Sequence, residues 1–197
     1  MLQNGVEHVE RFTPYAPVEC LVPAVIDCPA ERTAPGRMRQ RGHSWIIVPD
    51  SANGRDFLPL WAKTNFDVTT DDFTTRAWAK LCVNAPGAIS AILLQPTGVI
   101  RVEPIPDLVR AMARECIAVG RAEGAILGDE IAEQVVQGMR NALPDALNSL
   151  IADRMAGRQM EVDARNGAVV RFGKKHGIPT PMNEMTVALL IAAQTTI

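Results

Sequence analysis

Lys80 and Asn84 stand one helical turn apart in the stretch RAWAKLCVN, residues 76–84. The two share one helix face, and an ammonium there can serve as a proton donor. The apolar members of the stretch, Trp78, Leu81 and Cys82, recur at helical spacing and continue through Ala85, Ile89 and Ile92. Charge then stops, because residues 81–100 contain no Asp, Glu, Lys or Arg. A lysine at the edge of a buried segment is partly desolvated, and desolvation lowers its pKa toward values that suit proton donation near neutral pH. The rival reading is a solvated helix-face lysine that does no chemistry.

Other chemistries find little support. His8, His43 and His176 are far apart and lack ligand spacing, so no metal site is expected. No G-x-S-x-G nucleophile elbow occurs. Fourteen glycines are present, yet no two are separated by a single residue, which excludes G-x-G-x-x-G, and no Walker pattern occurs. Net charge is −2 with both signs interspersed, so no nucleic-acid partner is expected.

The elements that must position these residues divide near residue 70. A chain of 197 residues with 47% apolar content can bury a full core. Before residue 70, VECLVPAVIDC (18–28) and HSWIIVP (43–49) read as strands, the first interrupted or at an edge because of Pro23. The turn-rich ERTAPGRMRQRG lies between them; a short helix over 52–63 and a strand over 66–69 complete this part. Beyond it the pattern is helical, with about six helices ending in one over 183–193. The uncharged run reads as one helix kinked at Pro86 and ended near Pro96. Its prolines, glycines and amides exclude a membrane span. Gly177 and two prolines after a basic turn signal a helix stop. MLQNGVEHVERF is not a signal peptide. The four cysteines are widely spaced without C-x-x-C, and two fall within apolar helical patterns, so reduced, buried thiols of a cytosolic protein are expected.

RAWAKLCVNAPGAISAI resembles the W-x-K-L-x-x-N signature of ketopantoate reductases (2-dehydropantoate 2-reductases). LQNGVE is similar to that family's Q-N-G loop, and AERTAPG to the turn after a nucleotide-domain strand. NSLIADRMAGRQMEVDARNGAVVRFGKKHGIPTP is similar to its S-M-x-x-D-x-x-x-G-R-x-T-E-I-D-x-x-N-G…G-I-x-T-P segment. Four elements in order span almost the whole chain. The resemblance implies an α+β, mostly α fold. Residues 1–70 would be the second half of a Rossmann-type domain. Residues 71–197 would be a helical substrate domain of the 6-phosphogluconate dehydrogenase C-terminal type.

It also implies NADP-dependent reduction of a 2-oxo acid in pantothenate biosynthesis, in the cytoplasm, with a homodimer as one assembly. Lys80 would be the general acid and, with Asn84 and Ser149, would bind substrate. Asn4, Ala30 and Glu161 would contact the cofactor, Glu161 on its nicotinamide side or by orienting the lysine. Each has a structural rival. Asn84 could satisfy carbonyls freed by Pro86, and Glu161 could pair with Arg165 at i,i+4. Ser149 could be a helix N-terminal or back-bonding serine, and Asn4 part of an Asn-Gly turn.

The departures are informative. The family usually has asparagines where this chain has Ala88, Thr97 and Ala146, so part of the substrate clamp is altered. The chain also starts at the Q-N-G loop, without the glycine-rich loop that would hold a pyrophosphate. A truncated polypeptide or a shortened reading frame is the expectation, with a non-catalytic helical assembly module of the same family as the alternative. The chain alone is expected to bind NADPH weakly or not at all. Calorimetric titration checks this, and micromolar affinity would contradict it.

Overall fold

The computed structural model describes residues 1–194. The chain divides into two compact units, Met1–Arg76 and Ala77–Ile197. In the first unit, α1 is His8–Phe12, β1 is Val25–Asp27, β2 is Ala30–Ala34, β3 is Arg37–Gln40 and β4 is Ser44–Pro49. Then follow α2 (Ala52–Phe57), a 3-10 turn (Leu58–Trp61) and β5 (Phe66–Asp71). β4 is central in a three-stranded sheet ordered β1-β4-β5, antiparallel to β1 and parallel to β5. Its alternation buries Ser44, Ile46 and Val48. Ala24, Ile46 and Val48 then pack with Phe57, Leu58, Trp61, Phe66 and Val68. Ser51 starts α2, its Oγ accepting from the Gly54 N–H at 3.1 Å.

The stretch 18–28 is interrupted, as its proline implies: a 3-10 turn at Val18–Cys20 precedes Pro23, and the strand proper is Val25–Asp27. One sequence reading of this unit needs correction. The turn-rich stretch between the strands is a hairpin, β2 pairing antiparallel with β3. Pro35 and Gly36 make its turn, with Gly36 at φ +71°, a conformation glycine adopts without Cβ strain. β3 is exposed along its whole length, so no apolar alternation marks it as a strand.

The second unit takes in most of α3 (Phe73–Asn84), followed by α4 (Ala88–Leu93) and a 3-10 turn (Thr97–Arg101). α5 (Ile105–Ala122), α6 (Ile131–Asn141) and α7 (Ser149–Met155) come next. A π-helical turn (Asp163–Gly167) leads into α8 (Ala168–His176), and α9 is Pro181–Gln194. The single kinked helix expected over the uncharged run is two helices, because the break at Pro86 is complete. Ile100, Met112, Val136, Leu150, Ile151 and Leu190 form the centre of the core, each contributing about 1.5–3 kcal/mol by burial. α3 docks through Trp78, which is buried against α5 where Gly120 leaves room. A Cβ on Gly120 would lie 3.1 Å from the indole. The Phe172 ring meets that indole edge-on at 5.7 Å. Gly177, at φ +66°, ends α8 as expected.

Cys82 and Cys116 are buried free thiols, and burial pushes the Cys116 thiol well up. Cys20 and Cys28 are also free but exposed, so burial holds for the two cysteines on helices. Both lie where the first sequence-read strand fails to form a continuous strand. No helix among the described residues is long and apolar enough to cross a membrane.

His8 is buried, its Nε2 donating to the Gln3 carbonyl at 2.8 Å and its ring edge-on to Phe73 at 6.0 Å. Burial lowers its pKa below the ordinary value, with the Gln3 hydrogen bond opposing. Between the folded and the unfolded value of about 6.5, only the unfolded chain takes up this proton, so stability falls as pH falls. The urea midpoint is therefore expected to drop as pH is lowered through about 6.5, and His8→Gln to flatten that segment. An unchanged slope in the variant would contradict it.

Candidate active site

The site is built around the end of α3. Pro86 has no N–H to continue the helix, so the chain turns at residues 85–87 before α4 begins. Two asparagine side chains donate into the turn. Asn166 Nδ2 reaches the Ala85 carbonyl at 3.1 Å, and Asn148 Nδ2 reaches the Gly87 carbonyl at 2.9 Å. Asn148 also caps α7, its Oδ1 accepting from the N–H groups of Leu150 (3.0 Å) and Ile151 (3.2 Å). One side chain thus ties the turn after Asn84 to the helix that begins with Ser149. Beyond the turn, Arg154 donates to the Ala91 and Ile92 carbonyls and closes the end of α4.

Asn166 is fully buried and continues the network, donating to Asn183 Oδ1 at 2.9 Å. Asn183 Nδ2 in turn donates to Glu115 Oε2 at 2.7 Å. The Glu115 carboxylate accepts from the N–H groups of Met182 (2.8 Å) and Asn183 (3.0 Å), capping α9. α5, α9, the π-helical turn and the α3–α4 break therefore share one chain of hydrogen bonds.

Lys80 and Asn84, four residues apart on α3, share a face and are both partly buried. Trp78, two residues before Lys80, points about 200° around the helix from it, into the core. Ser149 is the exposed first residue of α7, and Glu161 is half-exposed just before the π-helical turn. The buried guanidinium of Arg165 joins these two. Its Nη2 donates to Ser149 Oγ at 2.7 Å and to Glu161 Oε2 at 3.2 Å. Burial holds its pKa below the usual arginine value, with the Glu161 charge opposing. Sequence reasoning saw Arg165 only as the i,i+4 partner of Glu161. Its contact with Ser149, sixteen residues away, had no sequence signal.

Asn4 and Ala30 lie in the first unit. Asn4 is partly buried in a bend before α1 whose Gly5 has φ +122°, and Ala30 is the exposed first residue of β2, paired with Gln40. Two of the positions where asparagines were expected serve each other instead. Thr97 donates to the Ala146 carbonyl through its N–H (2.9 Å) and its hydroxyl (3.0 Å). Ala88 is wholly buried at the start of α4.

Chemically, these groups are rich in donors. An ammonium, a carboxamide, a hydroxyl and a guanidinium suit an oxygen-rich anion. Among the described residues no group of His, Cys, Asp or Glu could hold a metal ion. A dinucleotide would need a strand-to-helix turn that lets backbone N–H groups approach its pyrophosphate. Two strand-to-helix connections of the first unit bear on that part. In the β4–α2 connection a Cβ on Gly54 would sit 2.0 Å from the Pro49 carbonyl, so this glycine serves helix–strand packing. In the β5–α3 connection Asp71 pairs with Arg76 at 2.6 Å and Asp72 accepts from the Thr75 N–H and hydroxyl, so these groups serve the start of α3.

Residues 72–194 match the family model described as "Ketopantoate reductase PanE/ApbA C terminal". The chain is 53% identical over 194 residues to the 2-dehydropantoate 2-reductase of Caulobacter vibrioides, covering 98% of this chain and 67% of that protein. It is 40% identical to the Mycobacterium tuberculosis protein of the same name, covering 98% and 66%. The solved PanE/ApbA family ketopantoate reductase of Ralstonia eutropha superposes with a TM-score of 0.85 at 31% identity, covering 98% of this chain and 65% of that one. The chain belongs to the ketopantoate reductase family and spans about two thirds of the length of the relatives it matches.

The double role of Asn148 is testable by urea denaturation. Asn148→Ala removes both the cap and the bond to Gly87 and is expected to cost about 2 kcal/mol. Asn148→Ser keeps a capping oxygen but cannot reach Gly87, and should cost about 1 kcal/mol. Equal losses would contradict the second role.

Proposed function

We propose that this chain carries the substrate-binding and proton-donating part of an NADPH-dependent reductase of a 2-oxo acid, 2-dehydropantoate or a close relative. The observation that supports this most is the partly buried Lys80–Asn84 face, which ends at a turn tied by Asn148 to Ser149. Residues 71–197 would form the substrate domain and the first unit would belong to the nucleotide-binding part, with Asn4 and the Ala30 backbone near the cofactor. NADPH is the reductant this reading assigns, and no described residue is assigned to its pyrophosphate.

The chain's own residues hold the acid and manage one proton. Ser149 donates to the substrate's carboxylate. Asn84 and Lys80 donate to the ketone oxygen, polarising the carbonyl before reduction. As the carbonyl carbon is reduced, its oxygen becomes an alkoxide, and Lys80 gives it a proton. The product is a 2-hydroxy acid, and the neutral Lys80 amine is reprotonated from solvent. Glu161, paired with Arg165, would orient Lys80 or meet the nicotinamide side of the cofactor. Burial of Ala88 and the pairing of Thr97 with Ala146 remove amide donors from the clamp, so a substrate with fewer polar groups than 2-dehydropantoate fits the same scheme.

Replacing the acid tests the reading. In the full-length protein, Lys80→Ala is expected to lower turnover of the 2-oxo acid by roughly 10²- to 10⁴-fold while cofactor affinity changes little. Unchanged turnover would remove Lys80 as the acid, and loss of cofactor binding alone would reassign it.

A further inference from the structure

Arg165 is only 3% exposed, and a buried cation on this turn is not explained by stability. Burying an ion pair costs desolvation that an apolar residue of similar volume would avoid. The pairing is also incomplete, since Arg165 Nε has no hydrogen-bond partner among the described residues. What the cation does achieve is specific: Nη2 touches both Ser149 and Glu161, two residues assigned above to the reaction.

The direction of the Ser149 bond carries the argument. A serine hydroxyl has one hydrogen to donate and two lone pairs. Arg165, which can only donate, occupies a lone pair at 2.7 Å. The Ser149 O–H must therefore point away from Arg165, and the exposed side of Ser149 is where a ligand oxygen can receive it. A guanidinium behind that hydroxyl polarises it further and adds positive potential at the same place. Glu161, half-exposed, offsets part of that charge, so the site favours a monoanion such as a carboxylate.

We propose that Arg165 is a positioning residue for the substrate's carboxylate: it fixes the Ser149 hydroxyl as a donor and raises affinity for the 2-oxo acid without touching the reacting carbonyl. The proposal rests on the function proposed above and names the device that anchors its substrate. It separates anchoring, which belongs to Arg165 and Ser149, from proton transfer, which belongs to Lys80.

The experiment is a double-mutant cycle in the full-length protein with Arg165→Met, Ser149→Ala and both together, with Arg165→Lys as the conservative variant. KM and kcat are measured for the 2-oxo acid and for NADPH, and pantoate binding is followed by calorimetry. Each single variant is expected to raise KM for the oxo acid and Kd for pantoate by roughly 10- to 100-fold, with kcat and KM for NADPH little changed. The double variant should be no worse than the worse single one, because the two residues act as one donor. Arg165→Lys, which keeps the charge but not the planar fork, should recover part of the loss. Additive losses, or an Arg165→Met variant that unfolds more easily yet binds pantoate normally, would overturn the proposal, and so would a wild-type protein that binds no pantoate. A wild-type protein that binds pantoate through Arg165 but reduces no 2-oxo acid would uphold the anchoring role and defeat the proposed reaction.

Discussion

The helix break at residues 85–87 is the constraint on which the rest of this site depends. Pro86 favours it, because proline has no N–H to bond back along the helix and its ring crowds the preceding turn. A buried break exposes carbonyl groups that need donors. Here the donors are the amides of Asn148 and Asn166. Both come from segments far along the chain, so satisfying the break also fixes where those segments lie. Asn148 starts α7 at Ser149, and Asn166 immediately follows Arg165. The same two bonds that compensate the proline therefore tie the turn after Asn84 to the segments that carry Ser149 and Arg165.

The π-helical turn at Asp163–Gly167 makes the second half of this arrangement possible. Its i→i+5 bond, from the Gly167 N–H to the Val162 carbonyl at 3.0 Å, widens the turn by one residue. Residues 165–169 are consequently all buried, a run that an amphipathic α-helix would not give. Arg165 and Asn166 can then face inward side by side, one toward Ser149 and Glu161, the other toward Ala85 and Asn183. Buried polar groups of this kind are costly when unpaired and specifying when paired. Asn166, Asn183 and Glu115 pair almost completely, which selects one packing of α5, α9 and the break. The one loose end on Asn166 is its Oδ1, which has no partner among the described residues.

Much of this was legible in the sequence, and the limits are physical. The apolar period of α5 and α6, the Gly177 stop and the alternation of β4 are local signals, and local periodicity reads them directly. The motif residues placed Lys80, Asn84, Ser149 and Glu161 on the chain, and the rival reading of Glu161 as a partner of Arg165 also describes a real contact. The hairpin of β2 and β3 was missed because both faces of β3 meet solvent, leaving nothing to alternate. Asn148 and Asn166 were missed as the pins of the break because their partners lie 61 and 81 residues away. Neither spacing nor composition encodes such a contact. A proline within an apolar run announces a disturbance, but whether it kinks or severs a helix depends on donors arriving from elsewhere in the fold.

The most direct measurement is a crystal structure of the full-length protein with oxidised cofactor and a non-reducible 2-oxo acid analogue bound together. The account predicts the analogue's ketone-position oxygen within hydrogen-bond distance of Lys80 Nζ and Asn84, and its carboxylate on Ser149 Oγ with Arg165 behind. An analogue bound away from α3, or one whose carboxylate rather than its ketone-position oxygen meets Lys80, would contradict it.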